Sequence, residues 1–213
     1  MSLLRFRRRL SLNTGISFHL LESRRDPSDE HWGKIGGRME DEYSQYFRTM
    51  GIPSRMLIED GPDWINHAIP GFGRDVIGAL QIGGKNFHQL DLLKVEARGG
   101  NLFLQLFVVR ANVGDNSYQF KAQWSVLKPF SLKRPIEFSW KGGAIVETMK
   151  MDSHMNDILT SHQKLLTFDA HKNIPSVTIL LPSAKEPQYL DQEYLEAIDM
   201  IAGHILKFVP SGP

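Results

Sequence analysis

Between Leu93 and Val109 the side chains follow a pattern that a β-hairpin satisfies directly. Leu93, Val95 and Ala97 alternate with Lys94, Glu96 and Arg98, the period of two expected of a strand with one buried face. Gly99-Gly100 follows, a pair that accepts the positive φ of a primed hairpin turn. Setting Arg98 opposite Asn101 puts Ala97 opposite Leu102, Val95 opposite Leu104 and Leu93 opposite Leu106. Directly opposed residues share a face, so turn and pattern agree on one register.

The return strand, Leu102 to Val109, is apolar on both faces: Leu102, Leu104, Leu106 and Val108 on one, Phe103, Phe107 and Val109 on the other. Such a strand belongs in the middle of a sheet, covered on both sides. After the turn residues Gly114-Asp115-Asn116, alternation resumes through Tyr118, Phe120, Ala122, Trp124 and Val126. Ile136, Phe138 and Trp140 make a fourth strand, and its place between Pro135 and Gly142-Gly143 suits an edge. Leu92 to Trp140 therefore reads as an antiparallel meander.

Helical spacing flanks it. Trp32, Ile35, Met39, Tyr43, Tyr46, Phe47 and Met50 recur at intervals of three and four after a start at Asp26-Pro27, and Gly51 offers a stop. Ala144 to Leu166 carries a stripe of Met151, Met155, Ile158, Leu159, His162, Leu165 and Leu166, with Asp152 or Ser153 capping a break. Leu166–Ala170 and Ser176–Leu181 form a strand pair that extends the sheet, and Leu190, Tyr194, Ile198, Ile201, Ile205 and Phe208 trace a final helix ended by Pro210. Short strands are expected at residues 16–21 and 55–59, and a short helix or strand at residues 75–82. The expected architecture is one α+β domain over residues 26–213. It comprises an antiparallel meander of about four or five strands packed with amphipathic helices, including a C-terminal helix.

Residues 1–25 stand apart. They hold six arginines against one glutamate, a net charge of +5, so a chain of net charge +1 carries −4 over the remainder. Arg5, Arg7, Arg8 and Arg9, interleaved with Leu3, Leu4, Phe6 and Leu10, suit an anionic membrane surface or nucleic acid. The plainer alternative docks those apolar residues on the body and leaves the arginines in water.

The 213 residues contain no cysteine, which removes disulfides, thiolate metal sites and a cysteine nucleophile from consideration. No apolar run reaches the length of a membrane-spanning helix, and the basic start lacks the apolar core of a signal peptide, so a cytoplasmic location is the default expectation.

Motifs for chemistry are sparse. Gly71-Phe72-Gly73 has Val76 where a dinucleotide fold requires a third glycine, and Gly84-Lys85-Asn86 lacks the hydroxyl of a phosphate-binding loop. No cofactor is implied. There is no G-x-S-x-G or S-x-x-K, and Glu40-Asp41-Glu42 reads as a solvated helix face. Two D-x-H repeats, Asp152-Ser153-His154 and Asp169-Ala170-His171, make His154, Asp157, Asp169 and His171 candidate ligands for a hard metal or zinc. The glycine-punctuated stretch from residue 60 to residue 87 is where a small-molecule site is expected, with Trp64, Phe72, Arg74 and Lys85 as candidate contacts. These observations favour a non-enzymatic binding module for a protein or small ligand. The alternatives are a metal-dependent hydrolase and a peripheral membrane or nucleic-acid binder. Ile136–Trp140 offers an edge along which two copies pair.

Overall fold

The computed structural model describes residues 10–11, 17–18, 41–57, 76–97, 100–126, 137–170, 175–186 and 188–209. Arg5, Arg7, Arg8, Arg9, Trp64, Phe72, Arg74 and His171, the expected helix start at Asp26-Pro27 and the turn at Gly99 lie outside them. Strands β1 (Leu10–Ser11) and β2 (Ser17–Phe18) pair with each other only.

The remaining strands form one antiparallel sheet of eight: β3 (Ser54–Met56), β4 (Val76–Ile82), β5 (Gln89–Ala97), β6 (Gly100–Arg110), β7 (Ala122–Val126), β8 (Phe138–Gly142), β9 (Leu166–Ala170) and β10 (Ser176–Leu180). Their spatial order is β3-β4-β5-β6-β10-β9-β7-β8. The fold class is α+β as the sequence implies, but the sheet has eight strands rather than four or five.

It is also not one continuous meander. β6 pairs with β5 and β10, and β9 and β10 lie between it and β7. The reason lies in β6 itself: Leu104 to Val109 are all buried, so its neighbour must be buried on both faces too. β10, buried from Ser176 through Ile179, meets that need, whereas β7 alternates. A 3₁₀ helix, Gly114–Phe120, takes the place of the strand expected at Tyr118 and joins β6 to the far side of the sheet. β8 is an edge, as its flanking residues imply.

In the β5–β6 hairpin the pairs are Ala97↔Gly100, Val95↔Leu102 and Leu93↔Leu104, two residues away from the expected register. A shift of two leaves every side chain on its original face, so the hydrophobic pattern alone does not distinguish the two registers.

The helices are α1 (residues 41–49), α2 (Ile145–Met151), α3 (Ser153–His162) and α4 (Gln192–Phe208). Their buried side chains join those of one sheet face in a single core. Leu80, Leu90, Phe107, Val109, Phe168, Val177, Ile179, Trp124 and Trp140 meet Phe47, Met149, Leu159, Ile198 and Ile201 there. Each such side chain contributes roughly 2–3 kcal/mol when fully buried. On the opposite face Leu93, Leu104 and Leu106 form a smaller buried cluster with Leu180, and Gln89, Asp91 and Thr178 are buried there as well.

Candidate functional site

α1, a reversal at Met50-Gly51 and β3 form a helix–turn–strand unit at one edge of the sheet. Gly51 has φ +73°, the left-handed conformation that ends a helix at low cost in glycine. Ile52 N–H and Met50 N–H both return to Phe47 O, closing the turn. Ser44 and Ser54 then meet, with their hydroxyls 3.2 Å apart and Ser54 Oγ donating to Ser44 O at 3.1 Å.

The inner face of α1 is held by tyrosines. Tyr43 and Phe47 are buried; Tyr43 OH donates to Gln188 O at 2.8 Å and Tyr46 OH to Leu190 O at 2.6 Å. Tyr189 stacks on Tyr43 with ring centroids 4.9 Å apart and donates to Glu42 Oε2 at 3.0 Å. Gln105 Nε2 reaches Tyr43 OH and Gln188 O from β6. Burial pushes the Tyr43 hydroxyl well above its ordinary range, so it stays a neutral donor. The hollow beside these groups, bounded by Phe103, Pro182 and Ala184, encloses only about 10 Å³, room for one water at most.

With Tyr43 and Phe47 turned inward, Asp41, Gln45 and Arg48 look outward along the opposite stripe of the helix. Together with Ser44, Arg55 and Met56 they line an open cleft of about 430 Å³, within the size range of ligand sites. The Arg48 guanidinium has no hydrogen-bond or ion-pair partner among the described residues. Arg55 Nε donates to Gln81 Oε1 across the β3–β4 pair, so its side chain, alternating with those of Ser54 and Met56, lies on the sheet face away from α1. Met56, 42% exposed, adds an apolar wall.

A second constellation lies between α3 and α4. Asp152 caps α3, accepting from Met155 N–H at 3.0 Å, while its second oxygen lies 2.7 Å from His204 Nε2 on α4. Asp191 caps α4, accepting from Tyr194 N–H at 2.8 Å, and its second oxygen lies 2.8 Å from His162 Nε2 at the end of α3. The helices thus run antiparallel, each N-cap carboxylate gripping a histidine near the other's C-terminus. Burial would raise both carboxyls. At Asp152 the hydrogen bonds from His204 and the Met155 amide outweigh it, and at Asp191 those from the Tyr194 amide and His162 do; both carboxyls are held below the usual range.

By partner list alone, Ser161, His162 and Asp191 resemble a hydrolytic triad, since Ser161 Oγ lies 3.1 Å from His162 Nδ1. Ser161 Oγ, however, donates to Ile158 O at 2.8 Å, and His162 Nδ1 lies 2.8 Å from that same carbonyl. With Asp191 on Nε2 and Ile158 O on Nδ1, no ring nitrogen is left to serve the serine as a base.

The remaining candidates are dispersed. His154 and Asp157 are exposed on α3, with His154 Nε2 3.9 Å from Glu196. Asp169 lies on β9, 3.3 Å from Lys121 Nζ. Among the described residues no group of three or more histidine, aspartate or glutamate side chains is arranged to hold a metal ion. Lys85 faces Asp199 of α4 at 3.6 Å, and Asn86 N–H donates to the same carboxylate at 2.6 Å, so this turn is fastened to the helix layer. Sequence reasoning missed Arg48 and Arg55, and the signal for them, a cation on each side of a Gly-stopped helix and a short strand, is weak on its own. The chain matches no protein-family model, no curated protein and no solved structure.

Proposed function

We propose that this protein is a non-enzymatic binding module whose ligand occupies the cleft between α1 and β3. The observation that carries this reading is the open cleft of about 430 Å³ itself, with the exposed Arg48, which has no ion-pair partner among the described residues, on its α1 wall. A cation held without a carboxylate partner favours an anion placed beside it. Asp41 lies two turns from Arg48 on the same outward stripe, so the α1 wall carries both charges. The carboxylate–histidine pairs elsewhere are spent on capping and joining α3 and α4, which supports binding over catalysis.

The test is a ligand screen by amide NMR on the full chain with small di- and tricarboxylates and short acidic peptides. Perturbed amides are expected within residues 44–48 and 54–56 and are expected to vanish in Arg48→Ala. Binding that maps to another face, or that survives this substitution, refutes the reading.

A further inference from the structure

We infer that two copies of this chain associate through β8, the edge at the far end of the sheet from the cleft, and that β8 pairs with itself about a two-fold axis at Ser139. The backbone supplies the first argument. Gly143 N–H donates to Lys121 O, so the hydrogen-bonded pairs with β7 fall on residues 143, 141 and 139. In an antiparallel ladder these alternate with pairs whose backbone groups point away. The N–H and C=O of Phe138 and Trp140 therefore face outward, and no backbone group among the described residues meets them. A second β8, run antiparallel, completes this ladder: Phe138 of each copy exchanges both bonds with Trp140 of the other.

Charge is the second argument, and it selects the partner. Glu137 and Lys141 are exposed on the sheet face away from the helices, one on each side of Ser139. Neither has an ion-pair partner among the described residues. A lysine alone on an edge strand discourages pairing. With a glutamate at the mirror position the same edge becomes complementary to itself. Centring the axis on Ser139 sets Glu137 of each copy directly opposite Lys141 of the other, with the two Ser139 hydroxyls between them. Centring it on Phe138 or on Trp140 places Ser139 opposite one of the charges, and centring it on Lys141 sets lysine against lysine. One register therefore answers both charges. On the helix face it also brings Phe138, half-buried and stacked on Trp124 at 5.8 Å, opposite Trp140 of the second copy, an aromatic cross-strand pair. The other edge of the sheet offers no such match. A two-fold pairing of β3 that uses the outward groups of both Ser54 and Met56 sets Arg55 against Arg55.

The test is sedimentation velocity on the full-length protein over a range of concentrations in low salt. The expected result is a reversible monomer–dimer equilibrium that added salt weakens. Glu137→Lys and Lys141→Glu each turn the two facing pairs from opposite to like charge, and each is expected to weaken the dimer about tenfold. The double substitution Glu137→Lys/Lys141→Glu exchanges the charges and is expected to restore the dimer to within about threefold. An equimolar mixture of the two single variants is expected to associate likewise, because every facing pair is again opposite in charge. Both side chains are exposed and without partners, so urea unfolding of each variant is expected to match wild type, which separates a lost contact from a lost fold. A protein that stays monomeric at every concentration overturns the proposal. So does a dimer that the single substitutions leave unchanged, or a loss that the charge exchange does not repair. Growth beyond two copies overturns it as well, since that marks head-to-tail pairing of β8 with β3.

Discussion

Asparagine in place of Asp91 tests a carboxyl buried within the sheet. Asp91 is 2% exposed on the sheet face away from the helices, opposite Leu106 and Ala79 in the neighbouring strands. Gln89 Nε2 donates to its Oδ1 at 2.6 Å. Burial pushes the carboxyl from an ordinary 3.8 up to about 6, and the bond from Gln89 only partly opposes this. The folded protein therefore holds the Asp91 proton more tightly than the unfolded chain does. The stabilisation this gives is fully present below about pH 4 and is lost as pH rises through 6. The difference amounts to about 3 kcal/mol as an upper value. In Asp91→Asn the amide oxygen still accepts from Gln89, while its N–H₂ group costs about 1 kcal/mol to bury. The variant should be more stable than wild type by about 2 kcal/mol at pH 8, or about 4–8 °C in Tm for a chain of this size, with the advantage gone at pH 4. Urea unfolding followed by tryptophan fluorescence from pH 4 to pH 8 measures it. The difference between the two proteins cancels the other titrating groups. An advantage that does not grow between pH 4 and pH 8, or a variant less stable at pH 8, refutes the argument.

Three further perturbations test the packing. A double-mutant cycle of Asp152→Asn with His204→Ala should give a coupling of about 1–2 kcal/mol. The cycle of Asp191→Asn with His162→Ala should stay below about 1 kcal/mol, because Asp191 is 57% exposed where Asp152 is 18%; equal couplings contradict this. Both carboxyls are held low, so their contribution is present above about pH 4 and is lost as pH falls through their folded values. Tyr194→Phe removes a fully buried hydroxyl that has no hydrogen-bond partner, and should leave thermal stability unchanged or raise it by up to about 1 kcal/mol; a loss above that shows the hydroxyl to be satisfied. Gly143→Ala places a Cβ 2.5 Å from Gln119 O and 2.6 Å from Tyr118 O, both backbone, and should cost at least about 2 kcal/mol by urea unfolding; a neutral result means the 3₁₀ turn beside it yields freely.

The parts of this fold that the sequence discloses are those governed by nearest neighbours. Alternation along Leu93–Val109 marks the hairpin, Asp152 marks the break between α2 and α3, and the stripe from Leu190 to Phe208 marks α4, because each depends on residues within one turn or one pleat. Strand order escaped it because β6, apolar on both faces, accepts any equally apolar neighbour. Nothing local says that β10, some 70 residues later, inserts where β7 is expected. The two-residue difference in hairpin register escaped for a related reason, since period-two patterning repeats with that same interval. His162 illustrates a half-visible residue: its place on an apolar stripe is evident, but its partner Asp191 comes from another helix.

The same distinction separates the two basic features of the chain. Arg5, Arg7, Arg8 and Arg9 are conspicuous because they are adjacent in sequence, and adjacency among solvated charges requires no structure. Arg48 and Arg55 are inconspicuous, seven residues apart and each ordinary in its own element. They come to one sheet edge because Gly51 reverses the chain and Ser44 and Ser54 lock the reversal, but the strand pairing sends Arg55 to the face away from α1, while the tyrosines at 43, 46 and 189 fix the helix with Arg48 outward. Each of those devices serves stability as well. Among the described residues Arg48 has no carboxylate partner, and Asp41 stands two turns away on the same stripe. Beside that stripe β3, the terminal strand of the sheet among the described residues, turns the backbone groups of Ser54 and Met56 outward, so an exposed cation and the end of the ladder lie along the same edge.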